Sequence, residues 1–109
     1  MENCVFCKIV RKEIPKEFDY EDENVVAFED INPKAKIHIL FVPKKHLNAF
    51  EDLTDADDKI LSSVRKGIKD IADKAGLIGR GFKIVVFAGG AQTVEHLHFH
   101  LMGPTGLKV

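Results

Sequence analysis

From Glu95 to Met102 the chain alternates without a break, setting His96, His98 and His100 against Leu97, Phe99 and Leu101. In extended backbone, side chains two apart share a face, so this stretch predicts a strand with a core side and a histidine side. Same-face neighbours lie about 6.5 to 7 Å apart along a strand and the outer two roughly 13 Å apart, so the three imidazoles need not share one role. Spacing leaves three chemistries open. They are a merely polar or packed face, chelation of one ion by histidines at i and i+2, and nucleophilic attack by a neutral imidazole with pKa near 6.5.

The remaining pattern supplies the scaffold. Asn3 is the expected N-cap of a short helix with Val5, Phe6, Ile9 and Val10 on one face, ended by Pro15. Residues 18–21 and 25–28 read as a hairpin around Asp22-Glu23-Asn24, and residues 37–42, bounded by Pro43, as a central strand. Thr54 is the expected N-cap of the main helix, with Asp55, Asp57 and Asp58 at its positive end. Its apolar stripe is Ile60, Leu61, Val64, Ile68, Ile71, Ala72 and Ala75, and Gly76 stops it. A strand over residues 82–87 precedes the small residues Ala88 to Ala91. This order predicts an α+β fold with a mostly antiparallel sheet, and 109 residues suit a single domain over 1–109.

Composition narrows the partners. Sixteen basic and seventeen acidic side chains give a net charge of -1, which argues against binding to long nucleic acid and favours a small-molecule ligand. No apolar run approaches the roughly 20 residues of a membrane span, and the first residues carry no signal-peptide pattern, so a cytoplasmic location is expected. Cys4 and Cys7 are too few for a disulfide scaffold. They leave open a metal site, a redox dithiol or two buried apolar thiols. The small residues from Gly89 to Val94 could offer backbone N–H groups to an anionic oxygen beside the histidines.

The run from Gln92 to Met102, with Cys4-Val5-Phe6-Cys7, the stretch Ala27 to Pro33 and the stretch His38 to His46, resembles the histidine triad (HIT) family in its Hint branch. The resemblance implies a five-stranded antiparallel sheet with one long and one short helix, paired as a homodimer and binding purine nucleotides. It implies hydrolysis of nucleoside 5'-phosphoramidates through a nucleotidyl-histidine, with no catalytic metal. By position, His98 is the nucleophile, and His100 and His38 bind phosphate or relay protons, including one for the leaving amine. Asp30 accepts from the ribose hydroxyls, Gln92 and Thr93 line the phosphate site, and Phe6, Ile14, Phe28 and Ile31 form the base slot. The resemblance further implies a structural zinc on Cys4, Cys7, His46 and His96.

Two departures from that pattern bear on function. Phe87 stands where Hint proteins usually carry an asparagine that helps hold the nucleotide, in a loop about two residues shorter. The sequence also ends at Val109 without the longer aromatic tail, so altered substrate choice is expected. The alternatives are dinucleoside polyphosphate hydrolysis by the same histidine, a catalytically weak nucleotide-binding or partner-binding module, and a metal hydrolase.

Overall fold

The structure, a computed structural model, describes residues 3–107; the chain end at Val109, on which the tail expectation rests, lies outside them. Five antiparallel strands form one sheet: β1 (Tyr20–Glu21), β2 (Val25–Glu29), β3 (Ile37–Pro43), β4 (Lys83–Val85) and β5 (Phe99–Gly103), ordered β1-β2-β3-β5-β4. A short helix α1 (Val5–Val10) lies N-terminal to the sheet strands, and a long helix α2 (Asp58–Lys74) lies between β3 and β4. The α+β antiparallel architecture read from the pattern is the observed one. No helix among the described residues is long and apolar enough to cross a membrane.

Strand alternation feeds two separate cores. Val25, Ala27, Ile39, Phe41, Leu97, Phe99 and Leu101 pack with Ile60, Val64, Ile68, Ile71 and Ala72 of α2. On the other face Val26, Phe28, Leu40 and Val42 meet Phe6 and Ile9 of α1. Central strands buried on both sides read as continuous apolar runs, which accounts for the buried Val25 to Phe28. The hairpin turn is held by Asp22, whose Oδ1 accepts from the Asn24 and Val25 N–H groups at 2.8 and 2.9 Å.

Five local expectations change. The α1 cap is Cys4, whose Sγ accepts from the Cys7 N–H at 3.3 Å, so the thiol takes the place expected of Asn3. Thr54 caps a 3-10 turn over Asp55–Asp57 that leads into α2, and Leu61 lies on the solvent edge of the apolar stripe, 38% exposed. The strand expected over 82–87 is paired only over Lys83–Val85. Most important, β5 begins at Phe99, so His96 and His98 lie outside the ladder. The Leu97 N–H bonds the carbonyl of Leu47 at 2.6 Å instead of a strand neighbour. The apolar members of the alternation still face the α2 core.

Gly67 lets α2 approach the sheet closely: a Cβ built there would lie 2.7 Å from Cε2 of the fully buried Phe41 and 2.9 Å from the Tyr20 ring. Gly67→Ala improves helix propensity yet overpacks this contact, so we expect a net loss of about 1–3 kcal/mol, read as a lower urea midpoint. A midpoint equal to or above that of the parent chain contradicts this account.

Candidate functional site

A neutral imidazole carries one N–H and one lone pair, so the group bonded to one nitrogen decides what the other can do. Among the described residues two clusters of possible ligands occur: Cys4, Cys7, His46 and His96, and Asp30, His38 and His100. Their hydrogen bonds send them to opposite uses.

In the first cluster both rings turn Nε2 to an acceptor. His96 Nε2 donates to the Pro43 carbonyl at 2.7 Å, and His46 Nε2 donates to Asn48 Oδ1 at 2.8 Å. Both Nδ1 lone pairs therefore face the thiols: His96 lies 3.3 Å from Cys4 Sγ and 3.5 Å from Cys7 Sγ, and His46 lies 3.2 Å from Cys7 Sγ. Tetrahedral bonds of about 2.3 Å to sulfur and 2.0 to 2.1 Å to nitrogen put S and N about 3.5 Å apart, so the cluster fits a zinc-sized ion with little movement. The pinned Nε2 groups are the outer-shell contacts that orient metal-binding histidines. Burial pushes the His96 pKa down to about 4, which keeps its lone pair free at neutral pH. Burial also raises the Cys7 thiol, with Cys4 beside it adding to the effect, so ion binding there displaces a proton.

The second cluster is a donor chain. The Lys34 N–H donates to His38 Nδ1 at 2.9 Å, which places the His38 proton on Nε2. That nitrogen donates to His100 Nδ1 at 2.9 Å and lies 3.4 Å from Asp30 Oδ2. His38 thus has no Nε2 lone pair for an ion, which counts against a metal hydrolase built on these residues. His100 carries its proton on Nε2, and that buried N–H has no hydrogen-bond partner among the described residues. An unmet buried donor costs about 1–3 kcal/mol and marks a place for an incoming acceptor. Burial pushes His100 down to about 4, with His98 and His38 adding to the effect, and burial also lowers His38 against the pull of Asp30. At neutral pH His100 is then an uncharged hydrogen-bond donor, the form suited to the phosphate-binding role among those expected for it.

His98 lies between the clusters. Its Nδ1 donates to the His96 carbonyl at 2.8 Å, so the lone pair resides on Nε2, the form a nucleophile needs. The Phe6 ring packs edge-on against both His98 and His96, with centroids 5.1 and 5.9 Å away. A cleft of about 450 Å³ opens here, within the range of small-molecule sites. Its wall includes Phe6, Ile14, Phe28, Ile31, Asp30, Thr93, His98 and His100.

Some expected residues are placed otherwise. His38 stands behind His100, outside the cleft wall. Asp30 forms the turn it would form in any Asp-x-Asn sequence, Oδ1 accepting from the Asn32 N–H at 2.9 Å, with its other oxygen left toward His38. Ile31 lines the cleft but is 84% exposed. Gln92 braces its own loop, accepting from the Gly90 N–H and donating to the Asn48 carbonyl, and it is absent from the cleft wall. Of the anion cradle expected over residues 89–94, the first three N–H groups are taken: Gly89 by the Glu51 carboxylate at 3.1 Å, Gly90 by Gln92 Oε1 and Ala91 by the Ala88 carbonyl. Residues that sequence reasoning did not assign to the site include Ile9 and Leu40 on the cleft wall and Asn48, Lys34, Pro43 and Leu47 among the hydrogen-bond partners. Leu40 could have been found, since it shares a strand face with His38; the main-chain N–H of Lys34 leaves no trace in residue type.

The depressed histidines carry a pH signature. Below about pH 6.5 the unfolded chain binds protons that the native His38 and His100 refuse, so stability is complete above that value and falls toward about pH 4. Urea midpoints measured with chelator present, where His96 adds to the same slope, should drop through this window. His100→Asn should flatten the drop, and an unchanged slope contradicts the assignment.

Comparison with known proteins agrees with this arrangement. The family described as "Scavenger mRNA decapping enzyme C-term binding" matches residues 3–107. Protein HitA of Neisseria gonorrhoeae is 42% identical over 94% of this chain and 97% of its own length. The HIT family hydrolase from Clostridium thermocellum superposes with a TM-score of 0.91 at 40% identity, covering 100% of this chain and 98% of that one. The histidine triad nucleotide-binding protein from Candida albicans superposes with a TM-score of 0.82 at 31% identity, covering 98% and 81%. The sheet, the histidine motif and these relatives together establish that the chain belongs to the histidine triad family.

Proposed function

We propose that this chain is a nucleotide hydrolase of the Hint-like branch that cleaves the P–N bond of purine nucleoside 5'-phosphoramidates. The observation that carries the reading is the His98 ring, with Nδ1 tied to a carbonyl and its Nε2 lone pair beside a nucleotide-sized, mostly apolar cleft. The relatives titled hydrolase and nucleotide-binding protein support it. In the proposed reaction His98 Nε2 bonds to phosphorus as the P–N bond breaks and the amine leaves with a proton taken from solvent. Water then attacks phosphorus and gives up a proton to solvent, the P–Nε2 bond breaks with its electron pair returning to His98 Nε2, and the nucleoside monophosphate is released. His100 offers its unpaired Nε2–H to the phosphoryl oxygens, where donors matter most as charge grows, and His38 positions it.

In this reading Asp30 takes the ribose hydroxyls, Thr93 borders the phosphate, and Phe6, Ile14, Phe28 and Ile31 hold the base. The chain acts as one domain, as a cytoplasmic homodimer. Cys4, Cys7, His46 and His96 hold a zinc ion that cross-links α1 to the loops before β5 and after β3; four protein ligands close its shell, so its chemistry is structural.

A specific observation favours a second reading. The Phe87 ring stands at 86° to His100 with centroids 5.5 Å apart, next to the donor the phosphate would need, which suits a protein that binds nucleotide and turns it over weakly. Nucleotide binding by calorimetry without turnover would favour it, and comparing an adenosine phosphoramidate with a dinucleoside polyphosphate on one preparation separates the two hydrolase activities.

His98→Ala should abolish release of AMP from an adenosine phosphoramidate while the circular dichroism spectrum is retained. Turnover equal to the parent would reject the nucleophile. Elemental analysis of untagged protein should find about one zinc per chain. A content near zero would remove the structural ion.

A further inference from the structure

His96 joins the Cys/His cluster to the cleft through both its ring and its main chain. Its side chain is fully buried, with Nδ1 facing the two thiols and Nε2–H on the Pro43 carbonyl at the end of β3. Its own carbonyl accepts the His98 Nδ1–H at 2.8 Å. No strand ladder holds this peptide, since β5 starts only at Phe99. What holds it is the ring of His96 on one side and, on the other, the Leu97 N–H bonded to Leu47, the residue after His46. Both anchors therefore lead to members of the metal-binding cluster. Phe6, set between Cys4 and Cys7, packs against both imidazoles and adds a third link.

We infer that His96 is a positioning residue that couples metal occupancy to the nucleophile: an ion bound to its ring fixes the main-chain carbonyl that keeps the His98 proton on Nδ1. The inference rests on the hydrolase reading for its kinetic consequence, but not for its structural one. Without the ion, the His96 ring keeps its Pro43 bond, but its Nδ1 has only weak thiol contacts at 3.3 and 3.5 Å in place of a metal bond; the carbonyl gains freedom, and the Nε2–H form of His98, which has no lone pair toward the cleft, becomes populated. The ion would then act on the rate of nucleotidyl transfer more than on substrate capture.

The test compares zinc-loaded, chelated and zinc-reconstituted protein with Cys4→Ser. Serine removes a thiolate ligand yet keeps an oxygen to accept the Cys7 N–H, so α1 retains its cap. Nitrogen-15 spectra of the imidazoles read the His98 tautomer directly, and kinetics on an adenosine phosphoramidate separate kcat from KM. The expected result is a single Nδ1–H tautomer in the zinc-loaded protein and a mixture in the chelated one. With it, kcat should fall about 10- to 100-fold, KM should move far less, and added zinc should restore the parent but not Cys4→Ser. Should Cys4→Ser fail to fold, reversible chelation of the parent chain carries the test alone. An unchanged His98 tautomer after chelation, or a chain that takes up no zinc, overturns the inference. Absence of turnover in every form, with the tautomer still following zinc, sinks the hydrolase reading and leaves the coupling standing.

Discussion

Each buried histidine of this chain ties one ring nitrogen to a fixed neighbour, and the chemistry of the site follows from which nitrogen is tied. The main chain supplies three of these ties: the Lys34 N–H on His38, the Pro43 carbonyl on His96 and the His96 carbonyl on His98. Exchanging a tautomer against such a group breaks a buried hydrogen bond at a cost of about 1–3 kcal/mol, and each 1.4 kcal/mol is a tenfold population difference. Identical side chains are thereby sorted into candidate metal ligands, a nucleophile candidate and a pair of donors within one small volume.

The sheet makes this sorting possible because both of its faces are in use. Packing of α2 on one face buries Leu97, Phe99 and Leu101, and this holds His98 and His100 to the opposite side. That side is covered only in part, by α1 and its Phe6 and Ile9, and the uncovered remainder is the cleft. The diagonal neighbours His38 and His100 meet because Leu40 pairs with His100 across β3 and β5, two residues along from His38. Substitutions that loosen the α2 contact are therefore felt on the cleft side through the same strands.

Features governed by side-chain periodicity were legible in the sequence. The apolar run of β3 and the amphipathic stripe of α2 led to the right elements, the alternation from Glu95 to Met102 to the part of β5 from Phe99, and four of the five histidines fell with the two cysteines and Asp30 into two groups, His98 standing apart. The family resemblance, more than spacing, assigned His46 and His96 to the cysteines. What stayed hidden depends on main-chain atoms or on loop geometry. The Lys34 N–H, the Pro43 carbonyl and the Leu47 carbonyl have no residue signature. Gln92 and the Gly89 N–H are spent inside the loop because Asn48 and Glu51 come close to it, a contact between segments about 40 residues apart that no local pattern reports. Cys4 as a helix cap was missed for a related reason, since capping statistics favour Asn3 and the thiol's role is set by its geometry.

The largest departure from the sequence reading, the late start of β5 at Phe99, is also the one the site requires. β5 lies between β3 and β4, so its carbonyls and N–H groups are drawn into ladders on both sides. Had the strand run on through His96 as the alternation suggests, the His96 carbonyl would pair with a neighbouring strand and be lost to His98. By leaving the ladder before Phe99, the chain keeps the alternation that buries Leu97 while releasing one carbonyl to orient an imidazole. The peptide at 96–98 then needs another source of rigidity, and the contacts of His96 and Leu97 with the segment around Pro43, His46 and Leu47 provide it.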